Sequence, residues 1–238
     1  MSGPFGILER LDGLLSAQGL LRRGIVRFAA DEAAPHCADG RAVAAVVLVG
    51  MTGNAMWPRF SAWREAEGGS GGADPLDRWS EVVLDEIAGQ LGVLALYPSR
   101  APYQPFQSWA MRAEGVKASP LGLLIHPVYG LWHSYRGAFA FSDWDDAGTE
   151  DAGVHSTMAH PCDDCAEKPC LSACPVGAIR LEGFDVTGCR RHLAGADGQA
   201  GCMTGGCLAR NACPVGVAYR YPQAQVRFHM QALTLPAA

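Results

Sequence analysis

Eight of the chain's nine cysteines fall between Cys162 and Cys213, and two of them stand directly before proline. The stretch "PCDDCAEKPCLSACPVGAI" (161–179) sets Cys162, Cys165, Cys170 and Cys174 within thirteen positions and carries the first Cys-Pro. Cys189, Cys202, Cys207 and Cys213 form a second run, and "ACPVGAIR" (173–180) repeats as "ACPVGVAY" (212–219). Each repeat has an outlying cysteine and a C-x4-C pair ahead of its Cys-Pro. Crowded thiolates bind soft metals, and in a reducing compartment this count implies metal rather than disulfides. Eight ligands suffice for two iron–sulfur clusters of four thiolates each. Zinc is the rival, because cysteine pairs also build tetrahedral zinc sites, but zinc has no use for a repeated Cys-Pro.

In two-cluster ferredoxins the cysteine before proline serves the other cluster, so the repeats interlock. Carried onto this chain, Cys162, Cys165, Cys170 and Cys213 are expected to hold one [4Fe–4S] cluster. Cys174, Cys189, Cys202 and Cys207 are expected to hold the second. The spacing departs from the usual run: C-x4-C replaces C-x2-C in both repeats, and C-x5-C-P replaces C-x3-C-P in the second. The nuclearity of the second site is therefore left open. Gly201, Gly205 and Gly206 would let backbone amides approach its sulfides. Cys37, outside the pattern, reads as a buried free thiol, and His155 and His160 read as exposed rather than ligating.

Elements must hold these ligands, and the chain changes character near residue 150. Upstream, Ile7, Leu8, Leu11, Leu14 and Leu15 recur at helical spacing, and "AVAAVVLVGM" (42–51) reads as a buried strand. A helix is predicted from Asp74, with Pro75 at its first position and Trp79, Val82, Val83, Ile87 and Leu91 on one apolar face; Gly92 ends it. Further strands are predicted at 93–97, 121–125 and 137–141. "EGGSGGADP" reads as a flexible surface loop and "DWDDAGTEDAG" (143–153) as a linker. The expected organisation is an α+β cofactor-binding domain over 1–150 and a two-cluster ferredoxin-like domain over 151–238.

A net charge of −5 supplies no basic field for nucleic acid, and Arg22-Arg23 and Arg190-Arg191 read as solvated surface residues. No stretch approaches the ~18 apolar residues of a membrane helix. Glu9, Arg10 and Asp12 interrupt the apolar pattern at the N-terminus, so a secretory signal is not expected and the protein is expected to be cytoplasmic.

A second candidate site lies at "LLIHPVYGLWHSYRGAFAF" (123–141). His126-Pro127, Tyr129-Gly130, Trp132 and Arg136-Gly137 stand in the order His-Pro-x-aromatic-Gly-x-Trp followed by Arg-Gly, which resembles the cobalamin-processing CblC family. "DPLDRWSEVVLDEI" (74–87) resembles that family's helix start, and the likeness spans roughly residues 40–141. The segment is also similar to its counterparts in epoxyqueuosine reductase and the reductive dehalogenases, where a corrinoid module precedes a two-cluster ferredoxin domain. The resemblance implies a flavin-reductase (nitroreductase)-like fold that binds cobalamin with its benzimidazole tail off the cobalt. His126, Pro127, Tyr129, Gly130, Trp132, Arg136 and Gly137 would be the cofactor-binding residues. It implies an iron–sulfur oxidoreductase that passes electrons from its clusters to a corrinoid, for cobalt reduction or removal of the upper ligand. Its electrons would come from an external donor of the flavodoxin or ferredoxin-reductase type. The net acidity and short length fit poorly with a tRNA-acting enzyme.

Plainer readings stand beside these. His126 before proline is the best-placed acid or base, yet it would equally fix a turn. Tyr129 and Trp132 would serve as core aromatics, Arg136 would pair with a neighbouring carboxylate, and Trp57, Trp63 and Trp109 would be core or pocket wall. FMN in place of the corrin, or a non-catalytic electron carrier, are the alternative functions.

Overall fold

The computed structural model describes residues 4–37, 40–144 and 159–234. These residues divide into two compact units. The strand unit holds the described residues up to Gly115 and those from Ser134 to Trp144; the cysteine unit holds Val116–His133 and everything from Ala159. The expected boundary near 150 and most of the expected linker lie outside the described residues. The finding that the sequence did not suggest is that Val116–His133 belongs with the cysteines.

In the strand unit α1 (Pro4–Ala17), β1 (Leu21–Arg27), β2 (Ala45–Thr52), α2 (Trp57–Ala66), α3 (Pro75–Leu91), β3 (Leu94–Leu96) and α4 (Phe106–Glu114) follow in order. The chain returns to this unit along β6 (His133–Phe141), and the sheet order is β1-β2-β6-β3. The β-branched run predicted as a buried strand is β2: Val46, Val47, Leu48 and Val49 are fully buried. Full burial of each such side chain is worth roughly 1.5–3 kcal/mol. Pro75 opens α3, and its end is closed by the Gly92 N–H donating to the Ala88 carbonyl. The buried stripe of α3 is Leu76, Trp79, Ser80, Val83, Leu84, Ile87 and Ala88. Val82, expected on that face, is 54% exposed. A Cβ at Gly137 would meet Leu84 Cδ1 at 2.5 Å, so this residue lets α3 lie close on β6.

β1 is an element the sequence reading missed, and Arg23 is a correction to it. A register shift between Arg22 and Ile25 marks a bulge in the β1–β2 ladder, and bulges re-aim side chains. Arg23 is 3% exposed, and its Nε and Nη2 donate to the two Glu114 carboxylate oxygens at 2.8 and 2.5 Å. The Gly24 N–H and Tyr135 hydroxyl donate to the same carboxylate. Burial pushes the Glu114 carboxyl upward, but Arg23, Tyr135 and the Gly24 amide outweigh it and hold it below the ordinary value. Arg22 pairs with Asp12 across the surface.

The cysteine unit is built from smaller pieces. β4 (Lys117–Ala118) pairs with β5 (Leu124–Ile125), which is shorter than the strand predicted at 121–125. α5 (Pro169–Ser172) precedes a ribbon of β7 (Ile179–Arg180) and β8 (Gly183–Phe184). α6 (Val186–Ala194), α7 (Ala196–Ala200), α8 (Cys202–Gly205), α9 (Leu208–Asn211) and α10 (Gln223–Gln231) complete it. Asp185 caps α6 by accepting from the Gly188 N–H at 2.8 Å. Among the described residues no helix is long and apolar enough to cross a membrane.

Candidate functional site

The eight clustered cysteines line two different cavities. Cys162, Cys165, Cys170 and Cys213 line one small cavity. Cys174, Cys189, Cys202 and Cys207 line another, of about 250 Å³. The ligand runs are shaped by short helices and turns. Cys170 sits in α5, Cys189 in α6, Cys202 opens α8 and Cys207 precedes α9. The first cavity is walled by Leu121, Ile125 and Leu131; Ile179, Leu193 and Met230 form the apolar backing of the second.

Electrostatics records the same grouping. Burial pushes the Cys162 thiol up to about 11, helped by the charges of Cys213, Cys170 and Cys165. Cys189 is pushed up to about 11 by burial and by Cys207, Cys174 and Cys202. Cys170, Cys207 and Cys213 are raised as well, first by burial. Four thiolates so close in apolar surroundings repel one another, and a bound cationic centre would relieve that repulsion.

The remaining ionisable side chains on the cavity walls favour negative charge. Lys168 lines the first cavity, and His192, Arg210 and His229 line the second; among the described residues neither wall includes Asp or Glu. The Ala178 N–H donates to Cys174 Sγ at 3.3 Å, and His192 Nε2 lies 3.9 Å from Cys202 Sγ. Among the described residues no three His, Cys, Asp or Glu side chains converge as ligands of a single metal ion. A four-iron cube takes one thiolate per iron, so its ligands stand farther apart than the four that share one zinc.

The His-Pro segment is divided between the units. His126, Pro127, Tyr129, Gly130 and Trp132 lie in the cysteine unit, while Arg136 and Gly137 lie on β6 in the strand unit. His126 is 1% exposed, and its Nδ1 accepts from the Val128 and Tyr129 amides at 3.0 and 3.1 Å. Its ring stacks on Tyr129 with centroids 4.2 Å apart. These contacts fix the turn, one of the two roles weighed for it. Arg136 pairs with Asp77, the neighbouring-carboxylate alternative.

Gly130 and Gly216 bring the His-Pro turn onto the second Cys-Pro loop. Both have left-handed φ, +58° and +71°; a Cβ on Gly130 would stand 2.1 Å from the Val215 carbonyl oxygen, and one on Gly216 2.3 Å from that of Tyr129. Tyr129 meets Tyr219 edge to face, and the Arg210 guanidinium covers the Trp132 ring at 4.3 Å while Nη2 donates to the Leu131 carbonyl at 2.5 Å. These aromatics pack within the cysteine unit.

Other expectations are corrected. The His160 side chain is 9% exposed rather than open to solvent, with Nδ1 3.7 Å from Asp163. Cys37 is half-buried rather than buried, and His155 lies outside the described residues. Trp109 is buried, and Trp57 and Trp63 both contact Phe60. A cleft of about 1000 Å³ in the strand unit, lined by Tyr97, Arg100, Gln104 and Trp109 among others, was not anticipated. No cysteine of the two sets and none of the His-Pro motif residues line it. Its signal in the sequence was weak, since its wall is a scattered set from the segment between β1 and β2, α3, β3, the segment between β3 and α4, and Trp109 of α4.

No protein-family model matches the chain, and no curated protein matches it. Among solved structures it is similar to a C. elegans B12-trafficking protein CblC, described as a homologue of human MMACHC, with a TM-score of 0.55 at 14% identity. The likeness covers 97% of this chain and 95% of that one. The chain therefore has a CblC-like mixed α/β fold. The similarity reaches well beyond residues 40–141, where the sequence resemblance lay.

Proposed function

We propose that this chain is a corrinoid-binding redox protein with two [4Fe–4S] clusters, carried by a ferredoxin-like C-terminal part. The observation that carries the cluster assignment is that each of two cavities is lined by one full set of four cysteines, with cationic and no acidic residues on the remaining wall. Cys162, Cys165, Cys170 and Cys213 would hold one cluster and Cys174, Cys189, Cys202 and Cys207 the other. When bound, the clusters supply one-electron transfer at low potential to cobalt, for its reduction or for loss of its upper ligand.

The chain's own residues bind and tune. Apolar walls from Leu121, Ile125, Leu193 and Met230 back the buried and half-buried thiols, and the Ala178 amide would stabilise charge on Cys174 Sγ. The corrinoid part is supported by the His-Pro motif and by likeness to a protein that traffics B12. The cleft of about 1000 Å³ has the size of a large-ligand site. An external donor of the flavodoxin or ferredoxin-reductase type would replenish the electrons.

The test is an absorbance titration of the anaerobically reconstituted protein with aquocobalamin. A stoichiometric shift to the base-off spectrum, then Co(I) bands on reduction, is the expected result. No shift at saturating corrin with the clusters intact would remove the corrinoid from the proposal, and the same titration with FMN would follow.

A further inference from the structure

The two thiol cavities differ in one respect that the repeat does not suggest. The chain has two lysines against seventeen arginines, and one of these lysines, Lys168, lies within the first cysteine run. Its Nζ donates to the carbonyl oxygens of Cys162 at 2.6 Å and Cys165 at 3.0 Å. It is the one ionisable side chain besides cysteine among the described residues lining that cavity. Its backbone is left-handed, with φ +40° and ψ +58°, although a proline follows and disfavours any helical setting there. A non-glycine residue keeps such a conformation when its surroundings over-determine it. Here they do: the same residue opens α5, accepts from the Leu171 N–H, and folds its side chain back over the loop it ends.

We infer that Lys168 is a positioning residue for the first cysteine set: it ties the Cys162 and Cys165 backbones into one loop and places a fixed positive charge beside any cluster bound there. A compact ammonium with three rotatable donors can bridge two carbonyls from inside a tight loop, where a planar guanidinium suits a bidentate partner instead. The neighbouring acids, Asp163, Asp164 and Glu167, are exposed and screened by water, so they offset that charge little. A cluster gains negative charge on reduction, so a nearby cation stabilises the reduced form and raises its potential. The corresponding place in the second repeat has no lysine. The second cavity has its own cation, Arg210, so removal of Lys168 should shift the first cluster's potential and leave the second's unmoved.

This inference rests on the cluster assignment, and the experiment separates the two. Full-length wild type, Lys168→Met, Lys168→Gln and Lys168→Arg are reconstituted anaerobically, assayed for iron and sulfide, and titrated redox-potentiometrically with detection by electron paramagnetic resonance. A Cys165→Ala variant identifies the signal of the first site. Wild type that takes up no iron and sulfide would overturn the cluster assignment and this inference with it. With clusters loaded, Lys168→Met should shift the reduction equilibrium of the first-site signal about tenfold toward oxidised, about 59 mV for one electron. The second signal should not move, and Lys168→Arg should recover most of the shift. If Lys168→Met fails to load the first site, Lys168→Gln, which keeps donors without charge, gives the comparison with Lys168→Arg. Equal first-site potentials in the neutral and cationic variants would overturn the inference.

Discussion

The strand unit and the cysteine unit solve the problem of an interior in different ways. Among the described residues the first buries a β-branched strand, the apolar faces of long helices and the Arg23–Glu114 ion pair. The second is made of helices of four to nine residues and two-residue strands, elements too short to hold themselves. Its interior includes the sulfurs, since Cys202 and Cys213 are buried among leucine, isoleucine and methionine. The lesson is that one interior is made of apolar packing, whereas the other includes two sets of four thiols lining two cavities.

The largest effect expected from this contrast follows metal removal. Chelating iron from the loaded protein should lower hydrogen-exchange protection in the cysteine unit by about a hundredfold or more, while β2 keeps its protection. Equal losses in both units would break the comparison.

Within the strand unit, Glu114→Ala leaves Arg23 buried beside an empty partner site and should cost about 3–5 kcal/mol in urea unfolding. The pH dependence has a definite sign. Glu114 has a lowered carboxyl, so its contribution is present above the ordinary carboxylate value of 4.5 and is lost as pH falls toward its folded value. The wild type should lose strand-unit stability in that acid window, and a Glu114→Gln variant should show a shallower decline.

Gly130→Ala tests the packing of the His-Pro turn on the Cys-Pro loop. With its left-handed φ and a carbonyl 2.1 Å from the new Cβ, it should cost about 2–3 kcal/mol and lower iron retention, whereas Gly13→Ala, in open space inside α1, should stabilise by about 0.5–1 kcal/mol. The smallest effect belongs to Asp185→Ala, which removes the α6 cap and should cost about 1 kcal/mol, read in the loaded protein.

What could be read from the sequence was local. The start and end of α3 and the buried run of β2 depend on residues near one another. What could not be read was non-local. Arg23 looked like surface because its partner, Glu114, is 91 residues away and a bulge turns the side chain inward. The His-Pro segment looked like part of the upstream domain because it is contiguous with β6. Its neighbours across Gly130 and Gly216 come from more than eighty residues downstream. Helical periodicity placed Val82 in the core because it marks a face only to within one position, and the true stripe runs through Ser80 and Leu84.

The central claim is that these two cavities hold two clusters. Its most direct test is the metal and sulfide content of anaerobically reconstituted full-length protein, with electron paramagnetic resonance of the reduced sample. The expected result is about eight irons and eight sulfides per chain, with about half of each lost in Cys165→Ala and the other half in Cys207→Ala. Zinc in place of iron, or iron content unmoved by either substitution, would contradict it.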